Sequence, residues 1–280
     1  MIENKCFDEE RALYHLCDTV VSHCCFKGPK DGESVLKEGR RIVVDHCDFS
    51  LRYPLWHVDD FQLLFSALDE KTRAPIWYSH HGKIDHCDID SIKALRECSY
   101  IDINNSIIDS CEMGWYSHHL NIKDCEIKSE YICLNAHHVY LENVKFVGKY
   151  AFQYMHQLEI VNCVLDTKDA FWHSEDVIVK DSVIKGEYLG WFSKNLTLVN
   201  CEIVGTQPFC YCDGLKLIDC KMVDTDLAFE YSDVNATIRG YVESIKNVKS
   251  GQIVLDDVGE VIVDEPIMEV NGQVIKRSCR

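Results

Sequence analysis

Four charged side chains in this 280-residue chain are placed to do acid–base chemistry: Glu112, Asp169, Glu187 and Arg96. Breaking a glycosidic bond takes two carboxyl groups on either side of it, about 5 to 10 Å apart. Asp169 and Glu187 lie eighteen residues apart with Trp172 and Trp191 beside them, and Glu112 has Glu130 at the same spacing. Arg96, flanked by Lys93 and Glu97, is the kind of base a lyase of acidic polysaccharides uses with carboxylate-bound calcium. With 46 acidic residues in the chain, such pairs also arise without a catalytic reason.

The aromatic residues are more ordered. All five tryptophans, Trp56, Trp77, Trp115, Trp172 and Trp191, share one frame of a repeat that also holds Gln153 and is followed by His57, Tyr78, Tyr154 and His173. Indole rings suit the C–H faces of sugars, while carboxylates and guanidinium groups hold hydroxyls, so these ten residues form the expected ligand-binding set, with an oligosaccharide as its ligand. The competing explanation is that the same rings stack along a sheet or lie under an interface. His118, His137 and His156 recur in a second frame, with His80 in the same frame two repeats earlier and His81, His119 and His138 beside them. Such a column of imidazoles could share a Zn or Ni ion, but Glu175, Lys194 and Asp213 occupy that frame later, which reads as a solvated turn, so no metal and no cofactor are expected. There is no Gly-rich phosphate loop, nucleophile elbow or HExxH.

The elements that hold these residues follow from the repeat. From Cys87 in "IDHCDI", steps of nineteen land on Ser106, Cys125, Val144, Cys163, Ser182, Cys201 and Cys220. Earlier marks at Ser66, Cys47 and Cys24 are separated by insertions of two and four residues, and Tyr241 marks a degraded copy. Apolar residues sit five and three before the mark, at it and two after, as in Leu120, Ile122, Cys125 and Ile127. That is period-two alternation broken by a bend, hence two short strands per coil. Stacked roughly 4.8 Å apart, each strand gains hydrogen-bonded neighbours. The spacing predicts an all-β fold, a single-stranded right-handed parallel β-helix solenoid of about twelve coils. A leucine-rich horseshoe would need its own frame and a helix per repeat, and neither is present. Asn or Asp before most marks suits a left-handed corner, and the mark itself is small because it fills a narrow interior.

Residues 1–241 are read as the β-helix with an N-terminal cap, in which "FDEERALYHL" has helical character, and 242–280 as capping strands and a tail. "GQIVLDD" and "GEVIVDEP" read as two strands. The C-terminal segment or the aromatic face would carry any homo-oligomer.

The formal net charge of −17 argues against nucleic acid, an anionic membrane surface or a polyanionic substrate without bridging calcium. No apolar run approaches the roughly 18 residues of a membrane span, and the start has no export signal, so a cytoplasmic protein is expected. The sixteen cysteines, with no CxxC among them, are then free thiols.

Seven segments resemble an uncharacterised bacterial family: "GESVLKE" (32 to 38), "LRYPLWH" (51 to 57), "IKALRECS" (92 to 99), "LDTKDAFWH" (165 to 173), "KGEYLGW" (185 to 191), "GTQPFCYC" (205 to 212) and "DTDLAFE" (224 to 230). That family is known only as a domain of unknown function with a right-handed parallel β-helix of the pectin-lyase-like kind. The resemblance implies this fold and a bacterial cytoplasmic setting, and it assigns no catalytic residue. The acid triad and "RIK"-type motif of polygalacturonases are absent.

Overall fold

The computed structural model describes residues 1–28 and 33–278 and falls into two compact units, Met1–Lys145 and Phe146–Arg280. Each unit is a right-handed parallel β-solenoid. Among the described residues the coils number about fourteen, and no α-helix occurs.

In the first unit a coil carries a six-residue strand and a shorter one, as in His118–Lys123 and Glu126–Ser129. Leu120 opposes Ile101 on one side and Val139 on the other, which is the nineteen-residue register of the sequence. The second unit repeats this, with Val177 between Leu158 and Leu196. All these aliphatic side chains point inward and are buried. Their alternation with polar residues is what selects strands over helices.

Three of the left-handed backbone positions recur from coil to coil at the corners. One lies before the mark, as at Asn105 and Asp124 with φ of 50° and 53°. The other two lie nine and six before it, at Tyr154 and Gln157 in the second unit with φ of 55° and 59°. A left-handed non-glycine residue costs about 1 to 2 kcal/mol. Coil-to-coil hydrogen bonds such as Asn105 N–H to Lys123 C=O and Tyr154 N–H to Trp172 C=O hold the corners in place.

The marks do more than fill space. At a left-handed corner the next amide points along the axis, and the small polar side chain of the following coil accepts from it. Ser66, Ser106 and Ser182 Oγ take the N–H of Cys47, Cys87 and Cys163 at 3.0 to 3.1 Å. A second Ser/Cys column, eight before the mark, makes the same ties: Ser117 Oγ accepts from Cys98 N–H and Ser232 Oγ from Cys212 N–H. Burial pushes the Cys87 thiol up to about 11 and those of Cys47 and Cys98 up to about 12. Under native conditions at pH 8, iodoacetamide is therefore expected to label exposed Cys6 and Cys17 quickly, to label Cys111 more slowly because burial and Glu130 push its thiol up, and to leave the buried mark cysteines unmodified until the fold opens, as peptide mass mapping would record.

Both ends differ from the sequence reading. "FDEERALYHL" is not helical: Arg11, Leu13 and His15 donate their N–H groups to Glu33, Val35 and Lys37, so this segment stacks like any other coil wall. Ile2–Glu3 and Cys6–Phe7 already pair with the next coil. At the other end the two expected strands are one, Ser250–Ile262, paired in parallel with Asp233–Lys246. Stacking continues past 242 but the period changes. Asp233 opposes Ser250 and Gln252 opposes Gln273, with a bulge between Ile238 and Tyr241 absorbing the shift. Sequence periodicity is lost there because coil length changes, while hydrogen bonding persists to Lys276. Residues 279 and 280 of the expected tail lie outside the described residues.

Candidate functional site

The tryptophan column does leave the core, and it is half-buried rather than free. In the second unit Trp172 and Trp191 stack at 5.5 Å and 7°. Their Nε1–H groups donate to the carbonyls of Tyr188 and Gln207, and Gln153 Nε2 donates to Asp169 C=O in the same geometry. In the first unit Trp56 stacks on Trp77 at 5.6 Å and 12°, and Trp115 donates to Tyr131 C=O. Lys37 Nζ sits 4.1 Å from the Trp56 ring centre and the Arg96 guanidinium 5.4 Å from that of Trp115. Coil spacing matches the contact distance of aromatic rings, so Trp56 and Trp77, and Trp172 and Trp191, cover a face of each other, while cations lie over Trp56 and Trp115. Sugar stacking on open indole faces, the geometry expected from sequence, is therefore not what this wall offers. Cys210, placed in the same outward column by alternation, is buried because its thiol turns back onto Gln207 C=O.

The next residue along is more exposed. Tyr154, His173, Phe192 and Tyr211 form a ladder with ring centres 5.0, 4.9 and 4.9 Å apart. His57 and Tyr78 make a tilted contact at 5.1 Å and 32° in the first unit. All six residues are left-handed, which turns consecutive side chains outward together.

The charged candidates separate into two cases. Glu112 opposes Tyr131, so Glu130 falls opposite Cys111 and the expected Glu112 and Glu130 pairing is out of register. Glu112 is instead bound by Arg96 at 3.4 Å and Lys93 at 3.3 Å, and Arg96 also reaches Glu97 at 3.6 Å. This cluster neutralises its own charges. In the second unit Glu187 pairs with Lys168 at 3.2 Å, whereas the Asp169 carboxylate accepts no hydrogen bond among the described residues. Only 7% of Asp169 is exposed. Burial raises its proton affinity above the ordinary aspartate range, Lys168 works against this, and Glu187 adds to it. A carboxyl group whose folded pKa is raised opposes folding at neutral pH, and that penalty is relieved as pH falls through the folded value.

Sequence reading thus placed the aromatic residues in two columns, which the coil register reproduces. It missed the serine and cysteine column at Ser117, Ser174 and Ser193, whose nineteen-residue recurrence was the available signal.

The model of a family described as a protein of unknown function, DUF3737, matches residues 1–276. The chain belongs to that family. No curated protein matches this DUF3737 chain. Among solved structures it is similar to the tailspike protein of E. coli bacteriophage HK620 in complex with a hexasaccharide, at 8% identity and a TM-score of 0.37, over 93% of this chain and 67% of that one. It is also similar to the catalytic domain of a GH87 α-1,3-glucanase in complex with nigerose, at 8% identity and a TM-score of 0.34, over 98% of this chain and 63% of that one.

Proposed function

We propose that the chain is a carbohydrate-binding β-helix whose second unit holds a neutral oligosaccharide along the aromatic edge from Gln153 and Tyr154 past Trp172 and His173 to Trp191. Asp169 and Glu187 are its carboxylates. The observation that carries this reading is Asp169, a carboxyl group nearly buried beside the aromatic wall with no side-chain partner of its own. Its carboxylate oxygens still meet solvent, so a ligand hydroxyl would take the place of water at a group whose proton affinity burial has already raised. The net charge of −17 favours a neutral glycan over a polyanion. Trp56, His57, Trp77, Tyr78 and Trp115, with Arg96 and Glu112, give the first unit a face of the same residue types. Proton affinity is raised at Asp169, while Glu187 pairs with Lys168, so the two carboxyl groups stand in unlike surroundings, as the acid and its partner in hydrolysis do. A reducing compartment suits the fifteen free cysteines among the described residues.

A second reading, a scaffolding solenoid whose aromatic wall packs a partner or a second copy, draws on the internal use of the indole N–H groups. Tryptophan fluorescence titrations with neutral oligosaccharides selected on a glycan array decide between them. Binding is expected to quench the signal, and Asp169→Asn to weaken it about ten-fold or more. The same variant should keep or raise its melting temperature at pH 7, because the amide carries no buried charge to oppose folding. Release of reducing ends would make the protein a hydrolase. An array without a hit would leave the scaffold reading.

A further inference from the structure

Four imidazoles gather on the outer face of the first unit. His118 opposes His137 in the parallel register, and their rings stack at 4.8 Å and 8°. His119 and His138 are left-handed, each with φ of 55°, which turns them onto the same side as the residues before them. Their rings stack at 4.5 Å, and within each coil the two rings stand nearly perpendicular, at 78° and 73°. His119 and His138 also line a shallow groove with Tyr100, Asp102, Asn121 and Tyr140.

The decisive distance is that between His118 Nδ1 and His119 Nδ1, which is 2.9 Å. In the metal-free protein one nitrogen donates its proton to the other. Two imidazole nitrogens bound at right angles to one cation, each about 2.0 to 2.1 Å from it, also lie about 2.9 Å apart. A cation held by both nitrogens keeps this separation, with each exposed ring turned so that its lone pair meets the ion off the N–N line.

We propose that His118 and His119 chelate a divalent transition cation, Ni²⁺ or Cu²⁺, with water in the remaining positions and His137 and His138 one coil away. Among the described residues no three His, Cys, Asp or Glu side chains already enclose a metal position, which disfavours a closed tetrahedral Zn²⁺ site and suits a two-nitrogen chelate on an ion of octahedral or square geometry. The site is independent of the carbohydrate reading.

Calorimetric titration of the metal-stripped full chain with NiCl₂ at pH 7.5 tests it. One equivalent should bind. His118→Gln or His119→Gln alone should weaken binding about ten-fold or more, and the double variant should abolish it. A Cys6→Ser, Cys17→Ser, Cys111→Ser variant, lacking three exposed thiols, should bind as the parent does. Thermal melts establish that each variant is folded. Absence of heat with the parent chain, or equal Ni²⁺ binding by the folded double histidine variant, overturns the proposal.

Discussion

Gly186→Ala is expected to be the most damaging single methyl group in the protein. Gly186 has φ of +149°, and a Cβ there would lie 1.5 Å from the Thr167 carbonyl oxygen of the coil below. That atom belongs to the backbone, so no rotamer change relieves the clash. One coil on, Gly205 has φ of +129°, and its Cβ would meet Gly186 O at 2.2 Å. The pair marks a line along which successive coils touch through main chain alone. The substitution should cost about 4 kcal/mol or more and lower the melting temperature by roughly 10 °C. Gly240→Ala is the control. Its φ is +85° but nothing lies within 4 Å of the added carbon, so only the backbone term of about 1 to 2 kcal/mol applies. Melting curves that leave Gly186→Ala level with Gly240→Ala would refute the close approach.

Phe171→Ala should follow it in size. Phe171 is fully buried, stacked on Phe152 at 5.6 Å and 14° in the interior of the second unit. The narrow core gives its neighbours little room to collapse into the space left by the ring, and removal of a buried phenyl ring costs about 3 to 5 kcal/mol. Gly190 shows how tightly this column is filled, since a Cβ there would come within 2.7 Å of the Phe209 ring. Urea unfolding should show a lowered midpoint with an unchanged slope, because the surface exposed on unfolding is the same. Phe171→Leu, which keeps most of the volume, should recover more than half of the loss.

The aromatic wall needs both levels of description. Its residues are legible in sequence because a solenoid repeats its geometry, so Trp172 and Trp191, nineteen positions apart, must point the same way. The relation of those rings to each other was not legible. Whether an outward indole offers its face or its edge depends on coil spacing and on where its N–H finds an acceptor, and that acceptor is a carbonyl sixteen residues on in the next coil. Likewise Asp169 and Glu187 looked like a matched pair, yet Lys168 opposes Glu187 and leaves Asp169 alone against the wall.

The sequence by itself determined the coil length, the parallel register and the inward set Leu120, Ile122, Cys125 and Ile127, because period-two burial and a constant repeat admit few arrangements. It also marked the corner before Cys125 and Cys201, where Asp124 and Asn200 favour left-handed backbone. Tertiary structure alone decided the corners at Tyr154 and Phe192, since tyrosine and phenylalanine have no such preference and adopt it only under the hydrogen bonds of adjacent coils. It decided the ends as well. Stacking runs to Lys276 after the nineteen-residue signal is gone, because strand pairing asks only for backbone N–H and C=O groups in line.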